Sequence, residues 1–389
     1  MFKKVLVINL GWENEPMIKN LFNRGYEVYG IHDSKEYVKF DYEDILISSF
    51  DNLKAIVKFC EGKSFDAILS DQCDFSNYTQ SYLTTKLQLP SHGLKASEIS
   101  KNKELQRKIA FSNDQIKVPI FKVCKTIDDI EEMHKHFPII IKPVDNRGSI
   151  GISVANSEKD LEFSFKLAIN NSKSKTVIAE QFINGTEFTV DGYCFNGVPK
   201  SLAIAKKLKI GVDSQVSTDI EYPAKITESL YKELLITNER VSNAFNYNFG
   251  FTHSEYIVDK TGDIYLVESA NRGGGVFTSE IILPIVTDLD LLNKYIDDCL
   301  DISNDINVDP NRNQIILKFL NFPVGKNFKT PNLDEFKNKE NIIKLKINLK
   351  NNEEVKKVNN DAQRHGFLIY SSNGNIRKEV NQIINQLYK

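Results

Sequence analysis

The 389-residue chain is 41% hydrophobic and 26% charged, too long for one ordinary core and too apolar for wholesale disorder, so two or three packed domains are expected. Its 50 Lys/Arg against 52 Asp/Glu leave a formal charge of -2, which excludes the global basic field that nucleic-acid binding draws on; any polyanion site has to be local. The longest apolar runs, such as residues 5–10 and 281–286, fall far short of the roughly 18–20 residues that cross a bilayer, so no membrane span is expected.

Residues 5–10 form an apolar, β-branched run closed by Gly11. Helical spacing over 16–22 and a second strand over 24–31 give β-α-β order. Asn9 ends the opening run, and Glu13 and Glu15 stand where a leader peptide would carry small residues, so this segment reads as a first strand and not as a targeting signal. A helix over 53–60, a strand over 67–70 and a helix over 78–87, stopped by Leu89-Pro90, continue the alternation. That pattern predicts a parallel sheet covered on both faces over about 1–95. The unit is Rossmann-like in outline, yet Gly11 is followed by Trp12 and no G-x-G-x-x-G appears, so dinucleotide binding, and with it a Rossmann oxidoreductase, is not expected.

Residues 97–111 read as one amphipathic linker helix with Lys101, Lys103, Arg107 and Lys108, ended by Pro119. A strand over 119–123 and a helix over 126–137 lead to an apolar strand, 137–143, that delivers Lys142 near its end. The turn at 145–151 carries Gly148, Ser149 and Gly151 and precedes a strand over 152–154, together a hairpin lid. A helix over 158–170 is followed by strands at 177–180 and 185–192. Farther on, strands at 250–258 and 264–268 flank a turn at 260–263 and run into Asn271-Arg272-Gly273-Gly274-Gly275. Residues 310–389 hold 15 Lys/Arg against 7 Asp/Glu, a local +8 that leaves -10 for residues 1–309. This is either a solvated basic surface or a face turned to an anionic ligand. The five cysteines (60, 73, 124, 194, 299) are odd in number, widely spaced and without a CxxC or Cys/His cluster; a reducing cytoplasm and no structural zinc are expected.

Glu255 and Glu268 sit on neighbouring strands of one hairpin, so their side chains can meet on one face. Such a pair of hard oxygen donors suits Mg²⁺, which fills its octahedron with water and phosphate oxygens; a buried ion pair or two exposed strand acids are the other readings. Lys142 places an ammonium where a strand meets the Gly-rich turn, and Gly148 and Gly151 let backbone N–H groups approach a phosphate. Lysine, Gly-rich turn and acid pair lie in one continuous segment, which favours a nucleotide site.

These segments resemble the ATP-grasp superfamily, from Val5 to about Gly374, in its carboxylate–amine ligase branch, which includes L-amino acid ligases and the carbamoyl-phosphate synthase large subunit. The resemblance implies an α/β protein with a Rossmann-like pre-ATP-grasp domain (1–95) and a two-lobed α+β ATP-grasp domain (96–305). Within the latter it implies a linker helix at 96–115, a nucleotide lid lobe at about 116–185 and a metal and substrate lobe at about 186–305. A small α+β closing domain (306–389) follows. It also implies that Glu180, Gln181, Phe182 and Ile183 form the adenine hinge and Glu187 the ribose contact. Lys103, Lys142, Gly148, Ser149 and Gly151 would meet phosphates, and Glu255, Glu268 and Asn271 the Mg²⁺ or Mn²⁺.

Asn102-Lys103 stands for the family's Asp-Lys pair, and Ala270 stands where many relatives carry a metal-binding Asn, so Asn271 substitutes or Glu268 bridges both ions, the latter preferred. Arg272, with Gly273 and Gly274, would hold the substrate carboxylate or acylphosphate. His253 would be a base toward the amine or a histidine satisfying the backbone, and Lys206 a ligand-facing or an exposed strand lysine. The implied reaction is ATP-driven amide formation from a small-molecule carboxylate and an amine, through an acylphosphate. Bicarbonate activation is second, because Gly273-Gly274 replaces the Pro-His element of carboxylases. A nucleotide-binding regulatory protein without turnover is third. The expected partners are small molecules, with no nucleic acid or membrane, and a homodimer is left open.

Overall fold

The computed structural model describes residues 3–209, 216–337 and 339–388, and in them three sheets. The first comprises β1 (Lys4–Ile8), β2 (Glu27–His32), β3 (Asp44–Ile47) and β4 (Ala67–Leu69), parallel in the order β3-β2-β1-β4. Its connections include α1 (Glu15–Asn23), α2 (Leu53–Cys60) and α3 (Asp74–Leu87). The expected parallel sheet is present, with β3 as an added edge strand whose alternation is too short and too exposed to be read from sequence.

The single linker helix expected over 97–111 is two helices, α4 (Leu94–Ser100) and α5 (Lys103–Phe111). Asn102 breaks it: its side-chain oxygen accepts the Glu104 and Leu105 amides at 2.9 and 3.2 Å, which starts a new helix there. The cap makes Lys103 the first residue of α5, where its own amide donates to Val144. An Asn therefore serves the capping role that Asp would serve at this position.

The second sheet is antiparallel, β5 (Phe121–Cys124), β6 (Ile139–Pro143), β7 (Ser153–Ala155) and β8 (Val177–Gln181), ordered β5-β8-β6-β7. It is covered by α6 (Leu161–Asn170) and by a 3₁₀ segment, Asp128–His136, where an α-helix was expected; the Asp129 carboxylate draws in the Lys125 and Thr126 amides and tightens the entry.

The third sheet has eight antiparallel strands. These are β9 (Gly185–Phe195), β10 (Val198–Lys209), β11 (Ser217–Tyr222), β12 (Gly250–Asp259), β13 (Ile264–Ala270), β14 (Ile315–Phe319), β15 (Ile342–Ile347) and β16 (Gly366–Ser371). Their order is β13-β12-β9-β10-β11-β14-β16-β15, so the strands after residue 306 continue the sheet without interruption. On it pack α7 (Glu228–Ala244) and, beyond a π-turn, α8 (Leu283–Thr287) and α9 (Leu291–Cys299); α10 (Asp334–Lys337) and α11 (Ile376–Leu387) complete the chain. Val5 and Leu69 of the first sheet share one core with Phe251, Phe277, Ile296 and Leu317, which welds the N-terminal unit to the large sheet. No helix among the described residues is long and apolar enough to cross a membrane.

His92 is buried beside Phe249 and Tyr295, its Nδ1 without a hydrogen-bond partner, and burial pushes its pKa down to about 3. Unfolded, it takes up a proton near pH 6.5 that the folded chain excludes. Its stabilising contribution is therefore complete above about pH 6.5 and is lost toward pH 3, at about 1.4 kcal/mol per pH unit. In His92→Gln, urea unfolding at several pH values below about 6.5 is expected to show a slope shallower by that amount.

Candidate active site

The hairpin β12–β13 sets the register of the site. Glu255 stands directly opposite Glu268 and His253 opposite Ala270; past that point a β-bulge leaves Val267 as an extra residue on β13. The next strand extends the rows, with Asp191 beside His253 and Thr189 beside Glu255. Both acids are held by lysines. Lys207 Nζ lies 2.7 Å from Glu255 Oε1, and Lys103 Nζ lies 3.0 Å from Glu268 while also donating to the Asn146 carbonyl at 2.8 Å. Burial would raise the Glu255 pKa, but Lys207 and the protonated His253 outweigh it and keep the carboxylate well below its usual range.

His253 Nδ1 meets Asp191 at 2.7 Å, and the Tyr222 hydroxyl closes on the other Asp191 oxygen at 2.5 Å. Burial alone would depress the imidazole; Asp191 and Glu255 reverse this and pull it up to about 9. The two carboxylates thus favour the protonated imidazole. Asn271 does not reach the cleft. Its side-chain amide donates to the Phe249 and Phe251 carbonyls at 2.8 and 2.9 Å and it is fully buried, because strand alternation turns it away from the face that bears Glu268.

The lid lobe supplies the opposite wall. Lys142, at the end of β6, is buried against Glu180 of β8 at 2.5 Å, and Arg107 of α5 holds the same carboxylate at 2.5 Å while donating to the Val267 carbonyl at 2.7 Å. Burial would raise the Glu180 pKa; the two cations bring it down to about 2. Lys142 is lowered from its ordinary value, by burial first and by Arg107 and Lys103, against the pull of Glu180. The Glu180 side chain thus serves the interior of the lobe. In the hinge, the Gln181 and Phe182 amides donate to Ile120 and Pro138, which leaves the Ile183 N–H as the hinge amide with no bond among the described residues.

The turn at 145–151 bends through left-handed backbone at Gly148, Ser149 and Gly151 (φ 64, 59 and 79°), and a Cβ on Gly151 would meet Asn171 at 2.7 Å and Pro143 at 2.9 Å. Glu187 faces Lys207 across β9 and β10 and is ion-paired with Lys209. Lys207, not Lys206, points into the cleft. A bulge at Leu202 fixes this parity, and Lys206 aligns with Phe188, a core residue of the opposite face.

The loop after β13 closes the far end. Arg272 binds Asp74 of the N-terminal unit with two parallel bonds, 2.8 and 2.9 Å, so its guanidinium is already oriented. Gly273 donates its amide to Asp71 at 2.6 Å, and a Cβ there would strike Ser279 Oγ at 2.1 Å. At Gly274 a Cβ would lie 2.8 Å from His253 Nδ1. Both glycines are demanded by packing. The Gly274 and Gly275 amides make no bond among the described residues.

The structure therefore gathers Lys103, Lys142, Glu187, Glu255 and Glu268 with Gly148 and Ser149 around one cleft, and places Arg272 and His253 in an adjoining pocket that shares Lys103 and Glu268. Sequence reasoning missed Arg107, Lys207, Asp191 and Asp74. Arg107 was visible as a charge on the apolar side of a helix; the other three needed sheet register or a domain contact.

Residues 135–280 match the family model of the ATP-grasp domain. The D-alanine–D-alanine ligase of Fusobacterium nucleatum subsp. nucleatum is 31% identical over 214 residues, 52% of this chain and 65% of that protein. The corresponding ligase of Geotalea uraniireducens is 25% identical over 211 residues, 51% and 61% of the two chains. The matched part thus spans less than two thirds of these relatives. Among solved structures, an L-amino acid ligase from Bacillus licheniformis superposes with a TM-score of 0.85 at 18% identity, covering 99% of this chain and 97% of that one. The N5-carboxyaminoimidazole synthetase of Staphylococcus aureus complexed with ADP gives 0.75 at 18%, covering 99% and 97%. The resemblance read from the sequence holds: the chain carries an ATP-grasp domain in the mixed α/β architecture expected.

Glu180→Gln is expected to strand two buried cations and to lower stability by about 3–5 kcal/mol, read as a shift of the urea midpoint. Adding Lys142→Met to it should recover part of that loss, since one of the stranded charges is then gone.

Proposed function

We propose that this chain, built around an ATP-grasp domain, is an ATP-dependent carboxylate–amine ligase that forms an amide or peptide bond and releases ADP and phosphate. The observation that carries the reading is the placement of Glu255 directly across from Glu268 in a cleft lined also by Lys103, Lys142 and the Gly-rich turn. Two carboxylates from rigid neighbouring strands are the donor set that Mg²⁺ or Mn²⁺ takes when phosphate oxygens complete the shell. The lysines that now neutralise them are cations of the kind a triphosphate would engage, so the residues fit a metal–nucleotide pair. When bound, that pair supplies the phosphoryl group and neutralises its charge.

Each residue then has a task. Ile183 N–H donates to the purine edge, and Ile140 and Val267, facing into the cleft from the two lobes, take the purine faces. Lys103 and Lys142 meet phosphate oxygens, with the amides of the turn that includes Gly148 and Ser149. Glu187 reaches the ribose. Arg272, pre-oriented by Asp74, holds the carboxylate of the donor substrate, and the free amides of Gly274 and Gly275 face its developing oxyanion. A carboxylate oxygen takes the γ-phosphoryl group as ADP leaves. The amine nitrogen then bonds to the acyl carbon, and phosphate departs with the electron pair of the C–O bond and takes up the proton that the nitrogen gives up. His253, fixed by Asp191 next to Gly274 and favoured in its protonated form, stabilises the negative charge that develops on the acyl oxygen. With Ala270 beside it on β13 and Asn271 turned away, Glu268 is the acid that would serve a second ion as well as the first. Curated relatives named as D-alanine–D-alanine ligases favour amide formation over bicarbonate activation. The five buried free thiols favour a reducing compartment such as the cytoplasm.

Phosphate release from Mg-ATP, assayed with amino acids singly and in pairs, is expected to require a pair and to yield a product whose mass is the sum less water. Glu268→Gln should cut that release by about 100-fold or more while thermal unfolding is preserved. Full activity in that variant would remove the metal assignment, and phosphate release without any condensed product would remove the ligase reading.

A further inference from the structure

Beneath the Arg272 loop lies a buried carboxyl that the reaction leaves without a task. Glu280, in the π-turn Thr278–Ile282, and Asp71, after β4, are 5% and 2% exposed, and the hydroxyl of the fully buried Ser279 stands between them. Ser279 Oγ is in contact with Asp71 Oδ2 and lies 3.0 Å from Glu280 Oε2. A hydroxyl has one proton to give. It cannot donate to two carboxylates at once, so one of the two acids has to be the donor in its own contact. Asp71 is suited to carry the charge, because it also accepts the Gly273 amide at 2.6 Å and faces Arg272. Glu280 is suited to carry the proton: its Oε1 has no hydrogen-bond partner, and among the described residues it is in no ion pair. An ionised carboxylate in that position would be buried without compensation.

The loop above this pair is held in shape from outside. Val276 and Phe277 have left-handed backbone, φ 56 and 62°, which a β-branched residue such as Val276 rarely takes without constraint. Their amides are bound by Glu13 Oε1 at 2.6 Å and Gln72 Oε1 at 3.4 Å. At the start of the loop Asp71 fixes the Gly273 N–H, and the Gly273 carbonyl accepts from Arg272 Nη1 at 2.7 Å. Hydrogen bonds therefore run without a gap from Glu280 through Ser279, Asp71 and the Gly273 peptide to the Arg272 guanidinium. A second charge, on Glu280, would face Asp71 across one hydroxyl, with Glu13 as a further acid acting on it. The helices packed on the π-turn bring no cation to it. α8 has no titratable side chain, and α1 presents Met17, Ile18 and Leu21 while its Glu15 is paired with Lys344. From α9 come Tyr295 and Cys299, both held neutral by burial.

We propose that Glu280 is protonated at neutral pH and donates to Ser279, that this proton positions the Arg272 loop, and that its loss at alkaline pH sets Glu280 against Asp71 and shifts the Gly273 peptide with Arg272. Glu280 is thus a positioning residue, acting through Ser279 and Asp71. The proton stands on the hydrogen-bond count, and only its effect on turnover rests on the ligase reading. Burial, then Asp71, raises the Glu280 carboxyl well above its ordinary range. The folded chain therefore keeps a proton that the unfolded chain releases near pH 4.5. The stability this group contributes is complete below that pH and declines as pH rises toward its folded value.

The test is the infrared spectrum of the full chain in deuterated buffer at about pH 7, where ordinary carboxylates are ionised. A protonated-carboxyl C=O band is expected in the wild type, lost in Glu280→Gln and kept in Glu13→Gln. Gln preserves the shape and a donor toward Ser279, so the fold should survive; if that variant does not fold, bleaching of the wild-type band on raising the pH, with its persistence in Glu13→Gln, decides instead. Between about pH 5 and 8 the urea midpoint of the wild type should fall relative to that of Glu280→Gln. In the pH profile of turnover, Glu280→Gln should lose or shift the alkaline fall in kcat, about tenfold per pH unit in the wild type, with KM for Mg-ATP unchanged. A merely structural role would not move that limb. Absence of the band from the wild type, or its persistence in Glu280→Gln, overturns the proton, and an alkaline limb identical in the two chains overturns the positioning role. Absence of turnover with every substrate pair counts against the ligase reading, and the infrared result still decides the proton.

Discussion

One buried carboxylate ties the nucleotide-facing elements together. Glu180, on β8 of the lid sheet, is gripped by Lys142 from the neighbouring β6 and by Arg107 from α5, and Arg107 in turn reaches the Val267 carbonyl on the large sheet. Four segments far apart in sequence are thereby fixed around a single negative charge. Taking three ionised groups out of water is costly, and the arrangement is held because each has a counter-charge at hydrogen-bond distance. Its chemical consequence is positional. Lys142 is kept at the cleft wall by an internal partner and does not wander on a flexible stem.

The same economy recurs at the other end of the site. Arg272 and Gly273 are pinned by Asp74 and Asp71, both from the N-terminal unit, and that unit shares its core with the underside of the large sheet. The Rossmann-like unit, which lacks a glycine fingerprint of its own, thus contributes acids that shape a loop belonging to another part of the chain. A fold element without a glycine fingerprint of its own can still be needed for the geometry of a neighbouring site.

How far residues could be read as structure depended on whether their signal was local. The strand ending in Lys142, the Gly-rich turn and the hairpin with Glu255 and Glu268 carry period-2 patterns and turn residues within a few positions, and they fold as the pattern says. Asn102 was also a local signal, a helix cap, but it sat in a run of good helix formers and its effect was hidden until the two helices were seen to part. The identity of the cleft lysine was not local at all. Lys206 and Lys207 are adjacent, and the bulge at Leu202 decides between them. Asn271 was placed one position off the metal face for the same reason, strand parity, while Asp74 and Asp191 act through contacts with residues about 198 and 62 positions away. Charged residues with distant partners leave no period in the sequence.

The eight-stranded sheet has a consequence for how the chain can be divided. Its C-terminal strands are not a module resting on the ATP-grasp unit; β14 is hydrogen-bonded to β11 along four residue pairs, and β16 and β15 follow outward. Cutting the chain near residue 306 would bare β11 as a raw edge, with a row of unpaired backbone groups beside exposed apolar core. The C-terminal segment therefore acts as the sheet's edge protection, and shuffling it between relatives would require that its replacement present a strand of matching register, a constraint on recombination that no active-site comparison would disclose.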